Sequence, residues 1–498
     1  MEANRALITL LAVIAYLALC VGVGLWSLRR TRSASDFFVA GRRLGMFVTA
    51  FAIFSSTMSG FGFVGGPGLM YSMGTSSIWI LGTIVISNII VLNLVAKRLR
   101  LVSELRECVS LPDVAAARYG SESVRASVAV VILLGVLGYL ATQILAMSIV
   151  LQGVLADAGV IENPSLALCV AISCSVLIFY SVTGGIVASV YTDVIQGAIM
   201  VVASVFVFVT VLGTFDGGLA EISRIVAADD RAASGPWGTI GLMGGLAWFF
   251  VFGIGVAGQP HIITKFMMLR RMKELRYVIP VGVIAYSFAA LLWIGIGFAM
   301  RALVISGAHP ALATPDAASP TFLQTFTHPL LAGVVFAALL AAIMSTADAF
   351  LNIGTAAIMH DLPNAIRGRS LGNELAWARV ITVLLAISAA LVALYSGDLV
   401  ALLGVFGWGT FAAGLVPVIA IGLNWKRANI LAANVAVASS LLVNFGLRSG
   451  FGFGTVRLPY GVDHGAAALL VSLVLFLSIS FLTKPDPIDR DIQRVMEL

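Results

Sequence analysis

Charge is scarce in this chain. Only 11% of its 498 residues are Asp, Glu, Lys or Arg, against about 25% in an ordinary soluble domain. A soluble globular fold of this length is therefore excluded. The longest hydrophilic loops, near 97–125, 214–238 and 303–328, are too short to fold alone. Cysteine is rare as well. Cys20, Cys169 and Cys174 lie in apolar runs and Cys108 in a basic loop, so no disulfide framework is expected. The five histidines show no metal-ligand spacing. None of the five lysines follows a glycine, so the phosphate-cradling GxxxxGK(S/T) loop is absent, and so is HExxH. An enzyme or nucleotide-driven pump thereby loses its signatures, and a non-enzymatic role is expected. The period-two alternation of a membrane barrel is missing too.

What is present is apolar. Hydrophobic residues make up 60% of the chain, and mean hydropathy is +1.02. Runs long enough to cross a ~30 Å hydrocarbon layer recur at 6–28, 46–71, 76–96, 126–152, 164–183, 191–213, 239–260, 277–300, 329–352, 377–396, 399–424, 429–447 and 465–483. These thirteen runs predict an all-α integral membrane protein. The first, Ala6–Leu28, is too long for a signal-peptide core and reads as a retained helix. Alternate loops, beginning with Arg29–Arg43, hold 24 of the 30 Lys and Arg residues. Positive-inside bias then puts the N-terminus outside and the C-terminus in the cytoplasm of a cell (inner) membrane. The net charge of +6 is thus an orientation signal. The expected partners are the lipid bilayer and a small solute, with no nucleic acid.

Residues 52–68 read AIFSSTMSGFGFVGGPG. Within a bilayer, backbone leaves the helix only where protein or a cavity surrounds it. The hydroxyls of Ser55, Ser56, Thr57 and Ser59, with five glycines and Pro67, point to a broken helix. Close packing through small residues would use the same composition. A break frees carbonyl oxygens for a cation and helix N-termini for an anion. A second interruption, FGIGVAGQPHIITKFMM, ends the seventh span with Gly253, Gly255, Gly258 and Pro260. The two stand at corresponding positions of two five-helix halves, the pattern of a secondary-transporter site.

A third stretch, AALLAAIMSTADAFLNIG, sets Ser345 and Thr346 on an apolar helix, with Asp348 three residues after Ser345 on nearly the same face. Such oxygens suit a hard monovalent cation rather than a soft metal. The alternatives are bonding of the hydroxyls to the preceding turn and an interfacial place for Asp348. Asp193, in YTDVIQG, opens the sixth span either as a helix N-cap or as a cation way-station. By this count no basic side chain lies at mid-membrane. A cationic substrate is therefore not expected. A small carboxylate or zwitterion held by half-helix N-termini fits best, and a neutral polar solute next.

Taken together, VAGRRLGMFVTAFAIFSSTMSG, LPDVAAARYG, YSVTGGIVASVYTDVIQG, GQPH and AAIMSTADAFL resemble the sodium:solute symporter family. The resemblance implies a leucine-transporter-like (LeuT-like) fold. Residues 1–45 would form an extra N-terminal helix with its basic loop, 46–213 and 239–424 two inverted five-helix repeats, and 425–498 two trailing helices with a cytoplasmic tail. It implies coupling to Na+ as well. A principal sodium site would use backbone carbonyls of Ser55 and Met58, the carbonyl of Ala342, and the hydroxyls of Ser345 and Thr346. Asp193 matches the acidic ligand of a second sodium site in some members, and Asp348 stands where it would join. Substrate-facing positions are Thr57, Ser59, Gly60, Tyr139, Gln143, Phe252, Val256 and Gln259; packing in the bundle core is the plainer role of Tyr139. Proline-transporting members carry Asp in place of Thr57, and a Trp and a Tyr in place of Phe252 and Val256. FVGGPG is closer to the pantothenate-type stretch. The expectation is a sodium-coupled symporter importing a small organic solute by alternating access, with a solute-sensing receptor of the same fold as the rival.

Overall fold

The computed structural model describes residues 2–28, 44–369, 374–397, 399–450 and 455–498. Arg29, Arg30, Arg32, Arg42 and Arg43 of the first basic loop lie outside the described residues. Among the described residues everything regular is helical, apart from one isolated bridge between Leu44 and Leu269. Lipid offers backbone groups no partner, so apolar segments close their hydrogen bonds within themselves.

The first repeat-sized stretch begins after α1 (Glu2–Leu28) with α2 (Met46–Thr57) and α3 (Gly66–Met73), and helical segments then descend to α4 (Lys97–Leu105). Next come α5 (Leu111–Tyr119), α6 (Glu122–Asp157) and α7 (Leu166–Leu212). The second stretch holds α8 (Gly241–Gly253), α9 (Pro260–Met267), α10 (Leu275–Ile305), α11 (Pro329–Ala356), α12 (Glu374–Tyr395) and α13 (Val400–Leu415). Last are α14 (Ile430–Ser449), α15 (His464–Leu482) and α16 (Arg490–Met496). Nine helical runs among the described residues are long and apolar enough to cross a membrane, and four shorter apolar helices accompany them. The long helices α6, α11 and α13 are the most enclosed.

The fifth and sixth expected spans, 164–183 and 191–213, lie in one 47-residue helical run, α7, whose apolar segments among the described residues are Leu166–Val182 and Asp193–Leu212. The connecting stretch contains no proline, and its backbone stays helical instead of looping. The two parts still have different partners. Ser173 bonds to Ser148 of α6, whereas Gln196 bonds to Tyr16 of α1 and Gly197 lies against Phe51 and Phe54 of α2.

Both predicted breaks are present. Between α2 and α3 the helix ends at Met58 (φ −90°, ψ 76°) and resumes through a wide turn, Phe61–Gly65. Between α8 and α9 a tight turn, Gly255–Gly258, leads to an extended Gln259. Pro260 then starts α9, where a missing N–H costs nothing. Glycine is required by proximity here. A Cβ on Gly66 would lie 2.1 Å from the Trp293 indole of α10.

The two ends of the bundle are tied differently. At the basic end, Ser110 caps α5 and also donates to Asp361 beyond α11, at 2.6 Å. Asp113 of α5 pairs with Arg125 and His360. At the other end, Asp316 is buried against Gly68 of α3 and accepts the Val400 N–H that opens α13, at 2.7 Å.

Burial, opposed by the Val400 N–H, pushes the Asp316 carboxyl up to about 7. The folded chain therefore holds this proton more tightly than the unfolded one. Its stabilising effect is full below about pH 4 and is lost as pH rises through about 7. The apparent melting temperature of detergent-purified protein should fall across that window, and Asp316→Asn should flatten the fall. Gly66→Ala should also lower the melting temperature, since overpacking costs ~1–3 kcal/mol. Adding Trp293→Leu should restore part of the loss. Gly45→Ala, whose Cβ meets nothing within 4 Å, should change little.

Candidate functional site

The break in α2 leaves carbonyls that its own helix does not use, and α11 answers them. Thr346 Oγ1 lies 3.4 Å from the Ser55 carbonyl, 3.3 Å from that of Ser56 and 3.1 Å from that of Ala342. The Ser345 hydroxyl is 2.9 Å from the Ser55 hydroxyl and 3.1 Å from the Ala342 carbonyl. All of these residues are buried. The structure thus brings together Ser55, Ala342, Ser345 and Thr346 as expected, and adds Ser56. Met58 marks the break itself, its N–H bonded to Phe54. The serine and threonine do bond back to the preceding turn, but they also span the gap to α2. The two roles coexist.

Asp193 is completely buried and does not cap its helix, which continues through it. Its Oδ2 takes a hydrogen bond from Lys265 of α9 at 3.1 Å. Asp348 accepts from Asn352 one turn along α11. Lys265 corrects the expectation of a pocket free of basic side chains. It is 1% exposed and also donates to Ala52 O at 2.8 Å and Ser56 Oγ at 2.5 Å. The expected span ended at residue 260, which assigned Lys265 to a loop. The break redirects the chain, and α9 adds further turns at bundle depth.

The residues expected to face a substrate gather around the same break. Gln143 of α6 accepts the Gly60 N–H at 2.9 Å. Ser59 accepts from Phe61 and faces the Tyr139 hydroxyl. Gln259 donates to the carbonyls of Gly255 and Trp408. Thr57 is spent on the Ile53 carbonyl of its own helix, yet it lines a cavity with Phe61, Phe252, Val256, Tyr286 and Trp408. Phe252 stacks on Trp408 at 4.9 Å and on Phe61 at 5.9 Å. A second cavity, lined by His261, Lys265, Asn352, Ser110 and Asp361, leads from α9 towards α5 at the basic end.

Several polar atoms here have no hydrogen-bond partner among the described residues. They are Gln143 Nε2, Trp293 Nε1, Gln259 Oε1 and both ring nitrogens of His261. Buried polar groups are rarely left so. Phe61, His261, Trp293 and Trp408 were not singled out in the sequence. His261 had a signal, since it follows GQP directly. The aromatics had none, because their meeting depends on helix packing.

The arrangement agrees with what the chain is similar to. The model of the family described as "Sodium:solute symporter family" matches residues 37–439. A sodium/proline symporter of Haemophilus influenzae is 30% identical over 423 residues, covering 81% of each chain. The osmoregulated proline transporter OpuE of Bacillus subtilis is 28% identical over 479 residues, covering 93% of this chain and 92% of its own. The solved structure of a Na+-coupled sialic acid symporter, substrate-bound and outward-open, superposes with a TM-score of 0.76 at 19% identity. That superposition covers 97% of this chain and 99% of the other, and it establishes the leucine-transporter-like fold. The protein is accordingly a transporter rather than an enzyme or a receptor, with Na+ as its coupling ion and a small molecule as its substrate. A family model matching residues 37–439, with a relative 30% identical over 81% of each chain, places this chain in the sodium:solute symporter family.

Proposed function

We propose that one sodium ion binds between α2 and α11, on the Ser55, Met58 and Ala342 carbonyls and the Ser345 and Thr346 hydroxyls. The observation that carries this reading is the Thr346 hydroxyl lying against Ser55 and Ser56 where the helix ends. An ion at this point would replace hydrogen bonds with stronger ion–dipole contacts and lock the bent shape of α2. That shape holds Gly60, Phe61 and Gln143 in the substrate chamber, so sodium and substrate bind with positive coupling. The orientation drawn from basic loops puts the N-terminus outside a cell membrane and the tail in the cytoplasm. Each sodium moving inward then gains about 2.3 kcal/mol per 100 mV of membrane potential. Residues 46–213 and 239–424 act as the two repeats whose relative rocking exposes either side.

The substrate is a small carboxylate or zwitterion. Gln143 Nε2 and Trp293 Nε1 offer unused donors for a carboxylate, and the aromatic walls cover an apolar body. Proline is named for the relatives and is the first solute to test. The three positions that depart from the proline-transporter pattern, Thr57, Phe252 and Val256, line one cavity. A solute of different shape is therefore the better fit.

Purified protein in proteoliposomes, offered radiolabelled amino acids and small carboxylates, should accumulate one class only under an inward sodium gradient. Gradient-independent equilibration of every solute would overturn the reading. Ser345→Ala and Thr346→Ala should each raise the sodium concentration for half-maximal uptake by roughly tenfold, the loss of one ~1.4 kcal/mol contact. Unchanged sodium dependence in both would remove the site assignment.

A further inference from the structure

Lys265 is a feature of the site that the sodium reading leaves unused. Its ammonium sits among a carbonyl, a hydroxyl and a carboxylate: Ala52 O at 2.8 Å, Ser56 Oγ at 2.5 Å and Asp193 Oδ2 at 3.1 Å. That is an all-oxygen donor set of the sort that suits a hard cation. The Lys265 side chain is 2% exposed and that of Asp193 is not exposed at all. Here neither charge is stable without the other, because the desolvation of each is offset only by its partner.

Asp193 has a second oxygen. Oδ1 has no hydrogen-bond partner among the described residues, and the carboxyl group lies beside the hydroxyls of Ser55 and Ser345. The carboxylate therefore stands between two cationic positions. One lies on the side of Ser55 and Ser345, where the proposed sodium sits. The other, on the side of Ala52 and Ser56, is filled by the lysine.

We infer that the Lys265 ammonium is a tethered cation that occupies the place of a second sodium, so that this transporter binds a single sodium per cycle. The inference rests on the sodium-symport reading above and adds its stoichiometry. A free ion on Oδ2 would have to displace an ammonium that cannot diffuse away. A second free ion would have to share that one negative charge with both the ammonium and the proposed sodium. Asp193 so becomes a bridging anion: it strengthens the one sodium through Oδ1 while Lys265 holds it in place through Oδ2. The lysine also joins α9 to α2 through Ala52 and Ser56, and to α7 through Asp193.

Equilibrium binding of radioactive sodium to the detergent-purified full chain tests this. The wild-type protein should saturate at one ion per chain with a hyperbolic curve. Lys265→Met should bind two, because Oδ2 becomes free, and Lys265→Arg should still bind one. The double variant Asp193→Asn, Lys265→Met, which carries no unpaired charge, should bind one ion about tenfold more weakly than wild type. Two ions on the wild-type chain would overturn the inference while leaving sodium coupling intact. So would Lys265→Met saturating at one ion, or a double variant with wild-type affinity. No sodium bound to the wild-type chain would overturn the symport reading itself.

Discussion

The structure depends on one constraint: a helix broken inside a membrane must find partners for the backbone groups it exposes. Lipid supplies none, and each unpaired group costs several kcal/mol. The break after Thr57 is met from two directions. Thr346 of α11 reaches the carbonyls of Ser55 and Ser56, and Gln143 of α6 takes the Gly60 N–H, while Lys265 of α9 adds a bond to the Ala52 carbonyl within α2. Removing either of the first two leaves a polar group stranded. The same partners therefore hold the bend and define what can bind there.

Close approach is the second requirement, and glycine supplies it. A Cβ on Gly60 would come within 2.7 Å of Ala146 on α6. At the other break, a Cβ on Gly255 would meet Ala412 of α13 at 2.7 Å. In both places the missing side chain lets a neighbouring helix reach the turn. The high glycine content of these spans, unfavourable for an isolated helix, is what permits the breaks to be enclosed.

The sequence carried much of this but not all. The breaks were legible because glycine, proline and hydroxyl residues cluster where a crossing should be continuous. Ser345 and Thr346 were legible because paired hydroxyls on an apolar helix need a partner. Lys265 was not, because span counting treats a charged residue as a boundary, and α9 buries its lysine beyond the boundary the hydropathy gave. The chamber of Phe61, Phe252, Trp293 and Trp408 was mostly hidden, since aromatics on apolar helices look alike whether they face lipid or a cavity.

Coupling follows from how the proposed ion would share these oxygens. Without an ion, Thr346 can donate its single proton to only one of the three carbonyls near it, so the link between α2 and α11 is incomplete at every instant. A sodium ion has no such limit and can draw several oxygens together at once. Its effect is therefore largest on the segment whose carbonyls are least satisfied, the end of α2. Gly60 and Phe61 follow only a few residues on, Phe61 lining the cavity with Phe252 and Trp408, and they would move with that segment. A solute that needs Gln143 and Phe61 in place then gains affinity from an ion it never touches. The ion in turn gains affinity from the solute by the same factor. With the ion at the proposed place, two helix ends and the oxygens between them would be enough to join a sodium gradient to the uptake of a molecule several times its size.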